Sequence, residues 1–218
     1  MKVSIVITCY NREKYISRSI RSALNQDFNL EDMEVIVVDD GSLDSSVKII
    51  SDYVPEITLI ELNENQGLPY ARNVGIRKAK GRFVLMLDSD DYLDENIVRV
   101  EYLYMSMNPT LGAVSCDYII VDDDECHLNR SCGSSHPIAC GVLFKKDALI
   151  DIGLYDEKML LAEEVDLRSR FLQKYKIGHL AMPLYRYRKH ENNITNDTKL
   201  YDKYKLKAET KSKKRNKI

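Results

Sequence analysis

Three carboxylates fall within four positions in Asp88-Ser89-Asp90-Asp91, directly after the apolar run Phe83-Val84-Leu85-Met86-Leu87. Five such residues read as a short, fully buried strand, with the acids at its carboxyl end. Acids crowded there repel one another unless something cationic sits among them. Hard oxygen donors suit Mg2+ or Mn2+, and either ion would also hold a phosphate. Asp39 and Asp40 close a second apolar run, Val35 to Val38, and Thr8 and Tyr10 close a third, Val3 to Ile7. Glu163, Glu164 and Asp166 open a later helical stretch. The helix dipole favours negative charge in a first turn, but three acids in four residues exceed what capping requires.

The elements that must position these groups follow from the spacing of apolar residues. Val3 to Thr8 reads as a strand, Cys9-Tyr10-Asn11-Arg12 as a turn, and Tyr15, Ile16, Ile20, Ala23 and Leu24 as the inner face of a helix. A strand at Val35–Val38, a helix through Val47–Tyr53 capped by Ser42 or Asp44, a strand at Ile57–Leu62 and a helix from Leu68 to Ala79 come next. The Phe83–Leu87 strand follows the stop signal Lys80-Gly81. Such alternation predicts a parallel sheet with helices on both faces. Right-handed crossovers then set all the strand ends on one edge, where ligands of open α/β sheets gather.

Beyond the acids, Asp94 is expected to cap a helix running to about Met107, and Gly112 to Val121 to form a strand or strand pair. Asp122-Asp123-Asp124-Glu125 reads as the solvated tip of a loop, and residues 126–137 have the composition of a mobile one. A strand at Ala139–Phe144, a short helix at Lys146–Ile152, a helix at Leu161–Tyr175 and a last strand at Ile177–Met182 complete the pattern. No domain boundary is visible before Tyr201. Residues 1–198 read as a single domain, with a nucleotide half (1–110) and an acceptor half (111–198).

The 218 residues suffice for one sizeable α/β domain, and 44% hydrophobic with 30% charged residues is an ordinary globular composition. No apolar run reaches the ~18–20 residues of a membrane span. The five cysteines lack C-x-x-C spacing and read as reduced thiols of a cytoplasmic protein. Residues 199–218 carry nine Lys/Arg against Asp202 and Glu209, a net +7, so the overall −2 leaves −9 for residues 1–198. An acidic body excludes general nucleic-acid binding. The basic tail could touch anionic lipid at the inner face of a membrane, though its composition is that of a solvated, partly disordered end. Neither G-x-G-x-x-G nor the P-loop G-x-x-x-x-G-K-[ST] occurs, so phosphates in the crevice must be held another way.

Five segments in order resemble the family-2 glycosyltransferases of the GT-A fold. They are Ser4-Ile5-Val6-Ile7-Thr8-Cys9-Tyr10-Asn11, Val37-Val38-Asp39-Asp40-Gly41-Ser42, Asn65-Gln66-Gly67 with Ala71-Arg72-Asn73-Val74-Gly75, Leu87-Asp88-Ser89-Asp90-Asp91, and Glu163-Glu164-Val165-Asp166-Leu167 with Arg170. The resemblance implies a Rossmann-like, mostly parallel sheet flanked by helices with a mixed acceptor half. It implies transfer of a sugar, with inversion, from a nucleoside-diphosphate donor, UDP-linked by expectation, to a hydroxyl of a carbohydrate or lipid-linked acceptor. Cell-surface polysaccharide, lipopolysaccharide or glycoconjugate synthesis is the implied setting. Thr8, Tyr10, Asp39 and Arg72, with Asn11 and Asp40 beside them, would hold the base and ribose. Asp88 would contact ribose or metal, Asp90 would ligate the Mn2+ or Mg2+, and His190 would supply a further metal or diphosphate contact. Relatives have Glu-Asp where this chain has Glu163-Glu164, which makes Glu164 the expected catalytic base, with Glu163 and Asp166 as the other registers.

Departure of the diphosphate leaves charge on phosphate oxygens, which a divalent cation stabilises. A single carboxylate that accepts the acceptor's proton suffices for one inverting displacement. The loop Cys126–Pro137 is expected to close over the donor and exclude water. Two other readings remain: a nucleotide-sugar-binding protein without activity, and a sugar-phosphate nucleotidyltransferase. The latter would show a glycine-rich basic loop after the first strand, which Cys9-Tyr10-Asn11-Arg12 is not.

Overall fold

The β-branched runs become strands because both of their faces are covered. A computed structural model gives the architecture of residues 1–215. In the first half β1 (Val3–Cys9), α1 (Ile16–Leu24), β2 (Met33–Asp39), α2 (Ser46–Ser51), β3 (Thr58–Glu61), α3 (Leu68–Lys78) and β4 (Phe83–Asp88) alternate. These four strands are parallel, in the order β3-β2-β1-β4. Every residue of β1 is buried, as are all of β4 but Asp88. At about 25 cal/mol per Å² of apolar surface removed from water, burial of this layer on both faces stabilises the fold. Gly75 lets α3 lie directly on the sheet: a Cβ there would stand 2.3 Å from Val6 Cγ1.

The second half adds β5 (Tyr92–Leu93), α4 (Ile97–Met107), β6 (Ala113–Val121), β7 (His127–Ser131), β8 (Val142–Lys145), α5 (Lys146–Asp151), α6 (Glu163–Lys174), β9 (Ile177–Arg188) and α7 (Thr198–Arg215). The sheet continues past β4 as β8-β6-β9-β5, with β7 on β6. β8 is antiparallel to both β4 and β6, whereas β6 and β9 are parallel. One mixed sheet therefore joins the two halves.

Four expectations need correction. The last strand does not stop at Met182 but runs to Arg188. A register break opposite Asp117 accommodates Pro183, which lacks the N–H a regular ladder needs. The loop at 126–137 contains β7, held by antiparallel pairing to β6. The acidic turn Asp122–Glu125 is not merely solvated. Asp123 accepts from Lys14 Nζ at 2.6 Å and Tyr15 Oη at 2.8 Å, and Glu125 accepts from Arg18 and Arg188. The basic tail, finally, is a helix through Arg215, packed on α6, with Ala208 buried. Residues 216–218 lie outside the described part of the chain. No helix among the described residues is long and apolar enough to cross a membrane.

Candidate active site

Because β2, β1 and β4 are parallel neighbours, their carboxyl ends open on one edge. A cavity of about 600 Å³ lies there. Thr8, Tyr10, Asp40, Asp88 and Asp90 line it from the strand ends, and Arg72 from α3. Glu163 and Glu164, at the start of α6, line the same cavity. Residues separated by more than 150 positions thus share one crevice.

The aspartates at the end of β4 have separate environments. Asp88 accepts from Arg72 Nη2 at 2.8 Å. Asp90 is nearly buried and accepts on Oδ2 from Arg12 Nε at 3.2 Å and His190 Nε2 at 3.0 Å. Burial pushes the Asp90 carboxyl up, but the His190 hydrogen bond and the Arg12 charge outweigh it and hold it below the usual carboxylate range. Asp91 accepts from Tyr185 Oη at 2.6 Å and from the Arg188 backbone N–H at 2.7 Å. It pins β9 to the end of β4. Burial, then the charges of Asp90 and Asp88, raise its carboxyl well above the usual range.

The orientation of His190 follows from its neighbours. The backbone N–H of Asn192 donates to Nδ1 at 3.2 Å, so the ring proton resides on Nε2 and is donated to Asp90. Stacking on Tyr15, at 4.8 Å between centroids, holds the ring. His190 therefore presents an N–H toward the cavity edge rather than a lone pair. That N–H suits a carboxylate or phosphate oxygen; metal ligation through Nε2 would need the other tautomer.

Two of the expected nucleotide residues form the turns under the cavity. Asp39 accepts from the Ser42 N–H at 2.8 Å and its hydroxyl at 2.5 Å. Asn11, at φ 51°, accepts from the Leu43 N–H at 2.8 Å and so ties the β1 turn to the β2 turn. Asp40 accepts from the N–H groups of Gln66 and Gly67 at 2.8 and 2.9 Å while remaining in the cavity wall. Thr8 Oγ1 is buried and has no hydrogen-bond partner. An unpartnered hydroxyl in a cavity wall is costly unless a ligand completes it.

On the opposite wall Ala162 adopts φ 53°, in the left-handed region, immediately before Glu163. For a residue with a Cβ this costs on the order of 1–2 kcal/mol, and it sets where α6 begins. Glu163 turns inward and forms a buried ion pair with Arg72 Nη1, so Arg72 bridges Glu163 and Asp88. Burial pushes the Glu163 carboxyl up to about 7 against the pull of Arg72. Glu164 accepts from Tyr201 Oη of α7 at 2.8 Å. Asp166 is fully buried away from the cavity, between Arg170 Nε and Arg215 Nη2, both at 2.9 Å.

Several cavity residues were not singled out in the sequence. Arg12 is the cation on Asp90, and its only sequence signal is being the basic residue of the β1 turn. Tyr201 comes from the segment read as solvated. Asn192 to Ile194, and the stretch Pro137 to Cys140, close the rim without any motif of their own.

The family model for glycosyl transferase family 2 matches residues 4–146. The chain belongs to this family. TarS of Staphylococcus aureus, a poly(ribitol-phosphate) beta-N-acetylglucosaminyltransferase, is 40% identical over 102 residues, 45% of this chain and 18% of TarS. The minor teichoic acid biosynthesis protein GgaB of Bacillus subtilis is 29% identical over 208 residues, 87% of this chain and 23% of GgaB. The chain thus spans under a quarter of the length of either relative. The crystal structure of S. aureus TarS 1–349 with UDP-GlcNAc superposes with a TM-score of 0.78 at 24% identity, covering 90% of this chain and 61% of that one. The mannosyltransferase PcManGT of Pyrobaculum calidifontis, with GDP-Man and Mn2+, gives 0.79 at 18% identity, covering 98% and 64%. At these identities the likeness is one of fold, and that fold is the GT-A architecture of a mostly parallel sheet flanked by helices.

Proposed function

We propose that this chain is an inverting, divalent-metal-dependent glycosyltransferase domain that transfers a sugar from a UDP-linked donor to a hydroxyl of a polyol-phosphate or polysaccharide acceptor. The observation that carries the reading is one cavity lined by Asp88 and Asp90 on one side and Glu164 on the other. UDP is favoured by the UDP-GlcNAc complex of TarS, and the acceptor class by the names of TarS and GgaB. Residues 1–110 serve as the donor half and 111–198 as the acceptor half, with α7 completing the acceptor side through Tyr201.

The residues present fit a divalent cation. Asp90 already gathers a guanidinium and an imidazole N–H, and both contacts fall on Oδ2. Its carboxyl is held ionised, and Asp88 offers a second hard oxygen nearby in sequence. Asp90 and Asp88 would hold Mn2+ or Mg2+, which would neutralise charge developing on the departing diphosphate. Arg12, displaced from Asp90, and His190 Nε2–H then have phosphate oxygens as natural partners. Thr8 Oγ1, Tyr10 and Asp40 face the nucleoside, with Asp39 and Asn11 shaping the turns that carry them. Arg72 acts as a spacer: it neutralises Glu163 and orients Asp88.

Glu164 accepts the acceptor's proton. Glu163 is committed to Arg72 and Asp166 to two arginines outside the cavity, so neither is free to move a proton at the acceptor hydroxyl. The Tyr201 hydroxyl fixes the Glu164 carboxylate while leaving its other oxygen for the acceptor. The exposed Lys199, Lys203, Lys205 and Lys207 of α7 offer positive charge to an anionic acceptor or leaflet.

The test is incubation with a panel of nucleotide sugars and Mn2+, following the small-molecule product. Free nucleoside diphosphate supports the proposal. Pyrophosphate would identify a nucleotidyltransferase, and binding without turnover would leave a nucleotide-sugar-binding protein.

A further inference from the structure

A second cluster of ligating side chains lies on the acceptor half, outside the cavity. β6 and β9 run parallel with Ser115 opposite His179, and Asp117 shares the Ser115 face of β6. β7 runs antiparallel with Ser131 opposite Tyr118, which delivers Cys132 beside Asp117. Gly133 then passes so close to β6 that a Cβ would lie 2.0 Å from the Cys116 carbonyl oxygen. Its N–H donates to Asp117 Oδ1 at 3.2 Å. Only glycine permits this approach, and it fixes where the Cys132 sulfur sits.

Three ligand atoms converge. His179 Nε2 lies 3.0 Å from Asp117 Oδ1 and 3.7 Å from Cys132 Sγ, and all three atoms are within 4.8 Å of one another. The Ser115 hydroxyl is within hydrogen-bond distance of both the Gly178 carbonyl, at 3.3 Å, and His179 Nδ1, at 3.2 Å. With Ser115 accepting from Nδ1, Nε2 is left to ligate a cation together with the carboxylate oxygen and the sulfur. Without a cation, Nε2–H can donate to Asp117 Oδ1 at 3.0 Å, and a bound cation replaces that proton. Tetrahedral zinc, with bonds of about 2.3 Å to sulfur and about 2.0 Å to nitrogen and oxygen, separates S from N by about 3.6 Å and N from O by about 3.3 Å. The cluster meets the first and needs to open by only a few tenths of an ångström for the second. Arg130 holds the other Asp117 oxygen, Oδ2, at 2.7 Å, leaving Oδ1 as the ligand atom. Ser115 is the partner that orients the ligating imidazole.

We propose that Asp117, Cys132 and His179 form a zinc site separate from the cleft, with the fourth position open to solvent. Thiolate with imidazole selects Zn2+ over the Mg2+ or Mn2+ that the all-oxygen cleft site prefers. Zinc here joins the end of β7 to β9 and anchors the segment that runs from Cys132 to the cavity wall at Pro137–Cys140.

The test strips the full chain with chelator, adds Zn2+ alone without nucleotide, and measures bound metal after gel filtration. One zinc per chain is expected in the wild type and in Asp90→Ala. Cys132→Ser and His179→Ala, checked for folding by circular dichroism, should lose it. Ser115→Ala should weaken binding about 10–100-fold. Cobalt in place of zinc should show a thiolate charge-transfer band that Cys132→Ser lacks. No retained zinc in the wild type, or zinc retained by Cys132→Ser and His179→Ala but lost in Asp90→Ala, would overturn the site and leave Cys132 a surface thiol only.

Discussion

At the scale of the residue, the strand-end acids divide their work by environment. Asp91 is closed off by Tyr185 and Arg188, Asp88 is tied to Arg72, and Asp90 accepts from both Arg12 and the His190 ring N–H. Asp90→Ala should therefore abolish Mn2+-dependent turnover. Full activity of Asp90→Ala at saturating Mn2+ would show that the metal is held elsewhere. The candidate acids were legible because carboxylates at a strand end have few structural uses. Their separate fates were not: Asp39 and Asn11 turn out to carry loop geometry, since a side chain that bonds its own turn reads in sequence like one that bonds a ligand. Arg12 was illegible for another reason. Its partner lies 78 positions away, and nothing local marks a turn arginine as a placeholder for a cation.

At the scale of the element, α6 and α7 decide which acid is available. Helix α7 has little hydrophobic periodicity, and polar contacts tie it to α6: Tyr201 to Glu164, Ser212 to Ser169 at 2.6 Å, and Arg215 to Asp166. Charge and missing periodicity made the tail look solvated, because pairwise polar docking leaves no periodic trace. The central strands were legible for the converse reason: burial on two faces forces continuous β-branched runs. Two outcomes follow. Tyr201→Phe should lower kcat while leaving donor KM nearly unchanged, as expected for a group that orients the base. Equal loss in both would make Tyr201 part of donor binding instead. Arg215→Ala should cost about 1 kcal/mol, since Arg170 still pairs Asp166 and Arg215 is partly exposed. For a domain of this size that is roughly 2–4 °C in Tm by thermal denaturation.

At the scale of the whole molecule, one sheet carries a parallel first half into a mixed second half, and residues of both line the cavity. Ligand binding to that cavity must stabilise the fold. At about 100 Kd of nucleotide sugar the gain is roughly 2.7 kcal/mol, a rise of about 5–10 °C in Tm. The rise should require Mn2+ in the wild type and lose its metal dependence in Asp90→Ala. A stabilisation indifferent to metal in the wild type would separate donor binding from the acid cluster. The acidic body and the basic α7 carry net charges of opposite sign, and α7 packs on α6, the helix that bears Glu164.

In the proposed mechanism Glu164 takes the acceptor proton in a cleft whose metal is held at Asp90. Its most direct test compares transfer rates and donor affinities of Glu164→Gln and Glu163→Gln with the wild type. Glu164→Gln should bind the nucleotide sugar normally and transfer about 10²–10⁴-fold more slowly. Wild-type transfer by Glu164→Gln, with loss of transfer but retained donor binding in Glu163→Gln, would contradict it and move the base to Glu163.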